Sequence, residues 1–140
     1  MATGNPSIEH YWELARFEPN DVQRDAIVHV NGPLLITAGP GSGKTRVLLW
    51  RTFNLIVFHG VDPSTIFLST FTEKAAKQLQ DGLRSLLALV TNETGRVFDR
   101  AVISCRHGPF ARWNAIIASR YGGGENGVDG HWIVRCRTFI

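Results

Sequence analysis

The sequence predicts an α/β fold, a parallel β-sheet with flanking helices that a short chain leaves incomplete, and three observations predict it. An apolar run at 33–38 leads straight into the glycine-rich segment Ala38-Gly39-Pro40-Gly41-Ser42-Gly43-Lys44-Thr45. A stretch of helical period follows that segment, and a second strand-then-helix pair occupies 65–90. Two consecutive strand-loop-helix units imply a right-handed β-α-β-α arrangement, in which ligands bind at the carboxyl ends of the strands.

Taken in order, Pro33-Leu34-Leu35-Ile36-Thr37-Ala38 is bounded by Asn31-Gly32 and the glycine loop, as a buried parallel strand would be. From Thr45 to Phe58, the residues Val47, Leu48, Thr52, Leu55 and Ile56 recur at helical spacings, and Gly60 follows as a stop. Asp62-Pro63-Ser64 reads as a turn, and Thr65 to Thr70 as a β-rich strand. Thr70, with Glu73 three residues later, has the form of a capping box. The helix it opens runs from Glu73 to about Val90, with Ala75, Leu79, Leu83, Leu86, Leu87 and Val90 as its apolar stripe.

The glycine-rich segment carries the chemistry. Glycines let the backbone curl so that several N–H groups point at a polyphosphate, and the positive end of the next helix faces the same anion. The pattern G-x-x-x-x-G-K-[ST] is met at Gly43-Lys44-Thr45, with Ala38 in place of its first glycine. Gly39, Gly41, Ser42 and Gly43 would cradle the phosphates, Lys44 would reach the β- and γ-phosphates, and the Thr45 hydroxyl would ligate Mg²⁺. ATP and Mg²⁺ are the ligands expected.

A chain of 140 residues makes one modest domain or part of one. The net charge of +3 permits an anionic partner without specifying it, because the basic residues are scattered. No apolar stretch approaches the roughly 20 residues that cross a bilayer, and Met1 to Arg16 lacks the apolar core of a signal peptide, so a cytoplasmic protein with no membrane partner is expected. Cys105 and Cys136 are far apart and lack a C-x-x-C pattern, which favours free thiols over a disulfide or zinc site.

Three segments in order, Pro19-Asn20-Asp21-Val22-Gln23-Arg24-Asp25-Ala26-Ile27, Ala38 to Arg46, and Leu68-Ser69-Thr70-Phe71-Thr72-Glu73-Lys74-Ala75-Ala76, resemble the first motor domain of UvrD/Rep-type superfamily 1 DNA helicases. The resemblance spans about 14–89 and implies a RecA-like P-loop NTPase fold. It makes Gln23 the adenine reader, with Asn20 capping its helix, although read alone Gln23 is an ordinary solvated residue. It makes Arg46 a second nucleotide contact. It turns Thr70, Phe71 and Thr72 toward single-stranded DNA, with Lys74 as a weaker contact, where hydroxyls suit phosphates and an aromatic face suits a base. Read alone, Phe71 is a core residue and the threonines are caps. Glu73 departs from the asparagine that many family members carry.

Hydrolysis in that family uses an adjacent Asp-Glu pair to hold Mg²⁺ and orient water, and this sequence contains no such pair, so no catalytic residue is named. The expected organisation is an N-terminal extension at 1–18, a partial helicase ATP-binding domain at 19–99 and a divergent tail at 100–140. The tail mixes Cys, His, Trp and Arg with Gly122-Gly123-Gly124 and has no sustained period, which fits a disordered segment. Against that stand a basic-aromatic surface built on Arg106, Arg112, Arg120, Arg135 and Arg137 with Trp113, Tyr121 and Trp132, and a metal set drawn from Cys105, His107, His131 and Cys136, whose spacing matches no metal motif. A shifted reading frame near 99–105 is the specific hypothesis. Codons for Cys105-Arg106-His107-Gly108-Pro109-Phe110, read one base later, can give Val-Gly-Thr-Val-His-Ser, which contains the family's next motif, Gly-Thr-x-His-Ser. Coding DNA without a long helicase frame overlapping or following the stop would sink it.

The expected function is therefore that of a truncated helicase fragment that binds Mg-ATP and single-stranded DNA without hydrolysing or unwinding. The alternatives are a remnant without activity, or a small P-loop kinase, against which the Gln23 segment argues.

Overall fold

The computed structural model describes residues 6–98, apart from positions 33, 35, 64, 65 and 71, together with 104–107 and 133–135. Four helices dominate it: α1 (Ile8–Leu14), α2 (Asp21–Val28), α3 (Lys44–Val57) and α4 (Glu73–Thr94). Three short strands, β1 (Phe67–Thr70), β2 (Ser104–His107) and β3 (Ile133–Arg135), pair in parallel in the order β2-β1-β3.

Helix α3 is the centre of the packing. Val47, Leu48, Trp50, Phe53, Leu55 and Ile56 are all buried, as are the polar Arg51, Thr52 and Asn54, so from its second turn onward the helix is enclosed on nearly every side. Around it lie Tyr11 and Trp12 of α1, Ala26 and Ile27 of α2, and Leu79, Leu83, Leu87 and Val90 of α4. Phe53 meets Tyr11 and Trp50 edge-on with ring centroids 5.3 and 5.1 Å apart. Trp50 in turn stacks on Phe17 at 5.5 Å. Rings at these separations add to the area they remove from water.

The predicted helix at 45–58 is present with Val47, Leu48, Thr52, Leu55 and Ile56 inward, and Gly60 beyond its end has φ +65°. The predicted helix from Glu73 is longer than its pattern indicated and stops at Gly95, a left-handed cap at φ +70°. Its buried stripe includes Ala76 rather than Ala75, which is half-buried.

Two local expectations are corrected. The strand expected at 33–38 is absent from its described residues, Leu34 and Ile36 to Ala38, which take no regular structure. Strand identity requires a ladder partner, and the ladders among the described residues join β1 to β2 and to β3 without this segment. The cap of α4 is Thr72, not Thr70: Thr70 continues the β1 ladder opposite His107, while the Thr72 hydroxyl accepts from Ala75 N–H at 3.2 Å.

Strands β2 and β3 fall within the tail, where the sequence gives no element. The remaining tail positions, among them Arg112, Trp113, Arg120, Gly122 to Gly124 and Cys136, lie outside the described residues, as does Phe71. Among the described residues no helix is long and apolar enough to cross a membrane, and no group of His, Cys, Asp and Glu is arranged to hold a metal.

Candidate nucleotide site

Helix α2 is short and polar on one side, so its entry is fixed by a reciprocal cap. The Asn20 carboxamide accepts from Gln23 N–H at 2.9 Å, and Gln23 Oε1 accepts from Asn20 N–H at 3.1 Å. This capping box aims the Gln23 amide at the glycine loop, where its Nε2 donates to the Ser42 carbonyl at 3.1 Å. The structure thus joins Gln23 to the loop 19 residues downstream.

The loop is shaped by its own hydrogen bonds. The Ser42 hydroxyl donates to Gly39 O at 2.7 Å, and Lys44 Nζ donates to the carbonyls of Ala38 at 2.9 Å and Gly39 at 2.6 Å. Gly41 and Gly43 both take left-handed backbone, φ +76° and +78°, which a side chain would oppose. Gly43 is also the N-cap of α3 and offers no side chain. Helices α2 and α4 have their first-turn N–H groups met by Asn20 and Thr72, whereas α3 has no side-chain cap. Those N–H groups, with the helix dipole behind them and Lys44 beside them, favour an anion. Thr45 is exposed in the first turn of the same helix.

Arg46, also expected at the nucleotide, is exposed and lies with its guanidinium carbon 4.6 Å above the Phe17 ring. Phe17 is itself held flat against Trp50. Arg24 sits similarly 5.1 Å over Trp12 and 3.6 Å from the Glu9 carboxylate.

The described residues expected at DNA, Thr70, Thr72 and Lys74, are not drawn into this group. Thr70 is half-buried at the end of β1, Thr72 caps α4, and Lys74 is exposed on the first turn.

Sequence reasoning missed Arg51 and Asn54. Both are buried in α3, and both donate backward to α2: Arg51 Nη1 to the carbonyls of Ala26 (2.8 Å) and His29, and Asn54 Nδ2 to Ile27 O at 3.2 Å. Burial pushes the Arg51 guanidinium below its ordinary pKa. The available signal was a charge inside Trp50-Arg51-Thr52-Phe53-Asn54-Leu55, a stretch otherwise too apolar to expose a face.

The family model of the UvrD/REP helicase N-terminal domain matches residues 19–113. The chain is 46% identical over 68 residues to ATP-dependent DNA helicase PcrA of Bacillus subtilis, covering 49% of this chain and 9% of that protein. It is 43% identical over 68 residues to DNA helicase II of Rickettsia typhi (49% and 10%), and 41% identical over 70 residues to ATP-dependent DNA helicase Rep of Buchnera aphidicola (50% and 10%). The chain thus spans about a tenth of the length of these relatives.

Proposed function

Because the chain belongs to the UvrD/REP helicase N-terminal domain family, we propose that it is the ATP-binding N-terminal part of an ATP-dependent DNA helicase, with a RecA-like parallel sheet behind its phosphate loop. It binds Mg-ATP, with single-stranded DNA as a second ligand at Thr70, Phe71 and Thr72.

The observation that carries this reading is the Gln23 amide on the Ser42 carbonyl, which joins a base-reading side chain to a phosphate-binding loop. A carboxamide has two N–H donors and two acceptor lone pairs. One of each is used, by Ser42 O and Asn20 N–H, which leaves one donor and one acceptor. That is the pair needed at the N7 and N6 edge of adenine.

At the loop, the uncapped start of α3, the left-handed Gly41 and Gly43, and a lysine bonded to the loop carbonyls of Ala38 and Gly39 all suit a polyphosphate. Gly39, Gly41, Ser42, Gly43 and Lys44 would hold the phosphates, and Lys44 would exchange the Ala38 and Gly39 carbonyls for phosphate oxygens. Thr45 would supply a hydroxyl to Mg²⁺, which when bound neutralises phosphate charge. Arg46 would swing from Phe17 to the nucleotide. The absence of an adjacent Asp-Glu pair argues that the chain by itself holds ATP rather than hydrolyses it.

Calorimetry with Mg-ATP on the 140-residue chain tests this, with Lys44→Ala as control. Micromolar binding in the parent chain and none in the variant is the expected result. Parent binding that Lys44→Ala leaves intact, or no binding at all, refutes it.

A further inference from the structure

The last carbonyls of a helix have no partner within it, and α2 ends without the usual solution. Its C-cap, His29, is extended at φ −66°, ψ 114°, with no left-handed glycine turning the chain back over the final turn. The carbonyls of Ala26, Ile27 and His29 are instead taken by Arg51 and Asn54. These two residues are three apart, so they project from the same side of α3. A buried guanidinium spread over two carbonyls also sets positive charge at the negative end of the α2 dipole.

The contacts form a closed circuit. The loop runs into α3, α3 carries Arg51 two turns further on, Arg51 grips the end of α2, and Gln23 in the first turn of α2 returns to the loop at Ser42. Helix α2 is held at both ends, by the phosphate loop at its start and by α3 at its finish, so its axial position is fixed twice. We propose that Arg51, with Asn54 beside it, is a positioning residue that sets the depth of Gln23 over the phosphate loop, and thereby the preference of the site for adenine over a pyrimidine base.

The inference rests on the nucleotide reading above and predicts a specific split. Phosphate capture depends on the loop and the start of α3, which remain when Arg51 is removed. Base preference depends on where α2 lies, which changes. Arg51→Met keeps the length and apolar bulk of the buried stem while removing the donors.

The test compares the dissociation constants of Mg-ATP, Mg-UTP and tripolyphosphate by calorimetry, on the full chain and on Arg51→Met, Arg51→Lys, Asn54→Ala and Gln23→Ala. In Arg51→Met the ATP-over-UTP preference should fall about tenfold, toward that of Gln23→Ala, with tripolyphosphate affinity unchanged. Arg51→Lys, which can reach one carbonyl, should recover part of it. Retention of the full preference in Arg51→Met, or an equal loss of affinity for all three ligands, overturns the proposal. If Arg51→Met gives no cooperative urea transition, Asn54→Ala decides: a preference reduced about twofold to threefold supports it, and an unchanged preference overturns it. A parent chain with no ATP preference that Gln23→Ala removes overturns the nucleotide reading, and this inference with it. A preference present in the parent and intact in Arg51→Met overturns this inference alone.

Discussion

Two stretches of this chain hold the three segments that resemble helicase motifs, and they differ in what the fold does with them. From Asn20 to Val57, polar side chains bond to backbone in other segments: Gln23 to Ser42, Lys44 to Ala38 and Gly39, and Arg51 to Ala26 and His29. From Thr70 to Lys74, the Thr72 hydroxyl accepts from Ala75 N–H and so serves its own helix. The first stretch is a site assembled across elements, whereas the second is an edge where a strand hands over to a helix. A motif match is therefore a stronger statement where its residues converge from separate elements than where they follow one another along one.

The largest break in this contrast should come from Gly43. Alanine there must take φ +78°, a left-handed strain of about 1–2 kcal/mol, and its Cβ would lie 3.2 Å from Gln23 Nε2. Gly41 shares the positive φ but has open space around a new Cβ, and Gly39 has open space without the positive φ. Urea denaturation of the three alanine variants should rank them Gly43, then Gly41, then Gly39, with Gly39→Ala close to the parent. A Gly39→Ala variant as unstable as Gly43→Ala would show that the loop is not held in this shape.

Thr72→Ala should lower stability without touching the nucleotide site. Losing the hydroxyl that accepts from Ala75 N–H costs about 1 kcal/mol, and Thr72→Asn, which can cap equally well, should restore it. Mg-ATP affinity should be the same in all three proteins. Single-stranded DNA affinity, measured by fluorescence anisotropy, separates the two roles of this residue: binding that follows stability assigns Thr72 to the cap, and binding lost in Thr72→Asn assigns it to DNA.

The same division explains what was legible in the sequence. The phosphate loop can be read because its requirements are local: left-handed backbone at Gly41 and Gly43, and a lysine that opens a helix of clear period. Gln23 acquired a meaning only through the family resemblance, since its bond to Ser42 joins residues 19 apart. The apolar run at 33–38 misled because a strand is defined by its neighbours, and hydrophobicity cannot say which segments will lie alongside. The choice between Thr70 and Thr72 as a cap turns on where β1 ends, a shift of two residues that composition does not resolve. Arg51 escaped notice because a charge in a helical pattern is ordinarily solvated, and only the uncapped carbonyls at the end of α2 give it partners inside.

The smallest expected effect lies where the two regions meet. Tyr11 of α1 is fully buried against Phe53, and no hydrogen bond to its hydroxyl is found among the described residues. Beside it, His10 reaches Glu93 near the end of α4 at 3.2 Å, joining the helix of the second stretch to the core of the first. Burial raises the Tyr11 pKa, with the Glu93 charge adding to the rise and Arg96 opposing it. The folded chain thus holds the phenol proton at pH values where the unfolded chain, with an ordinary value near about 10, has begun to release it. Stability attributable to Tyr11 is fully present below that value and declines as pH rises through the folded pKa. Tyr11→Phe removes this decline together with a buried hydroxyl, so the variant should gain on the parent as urea denaturation is carried from pH 8 to pH 11, with most of the gain above about pH 10. A parent and variant that lose stability in parallel over that range would mean that Tyr11 is hydrated in the folded chain, and that α1 does not seal the junction between the two regions.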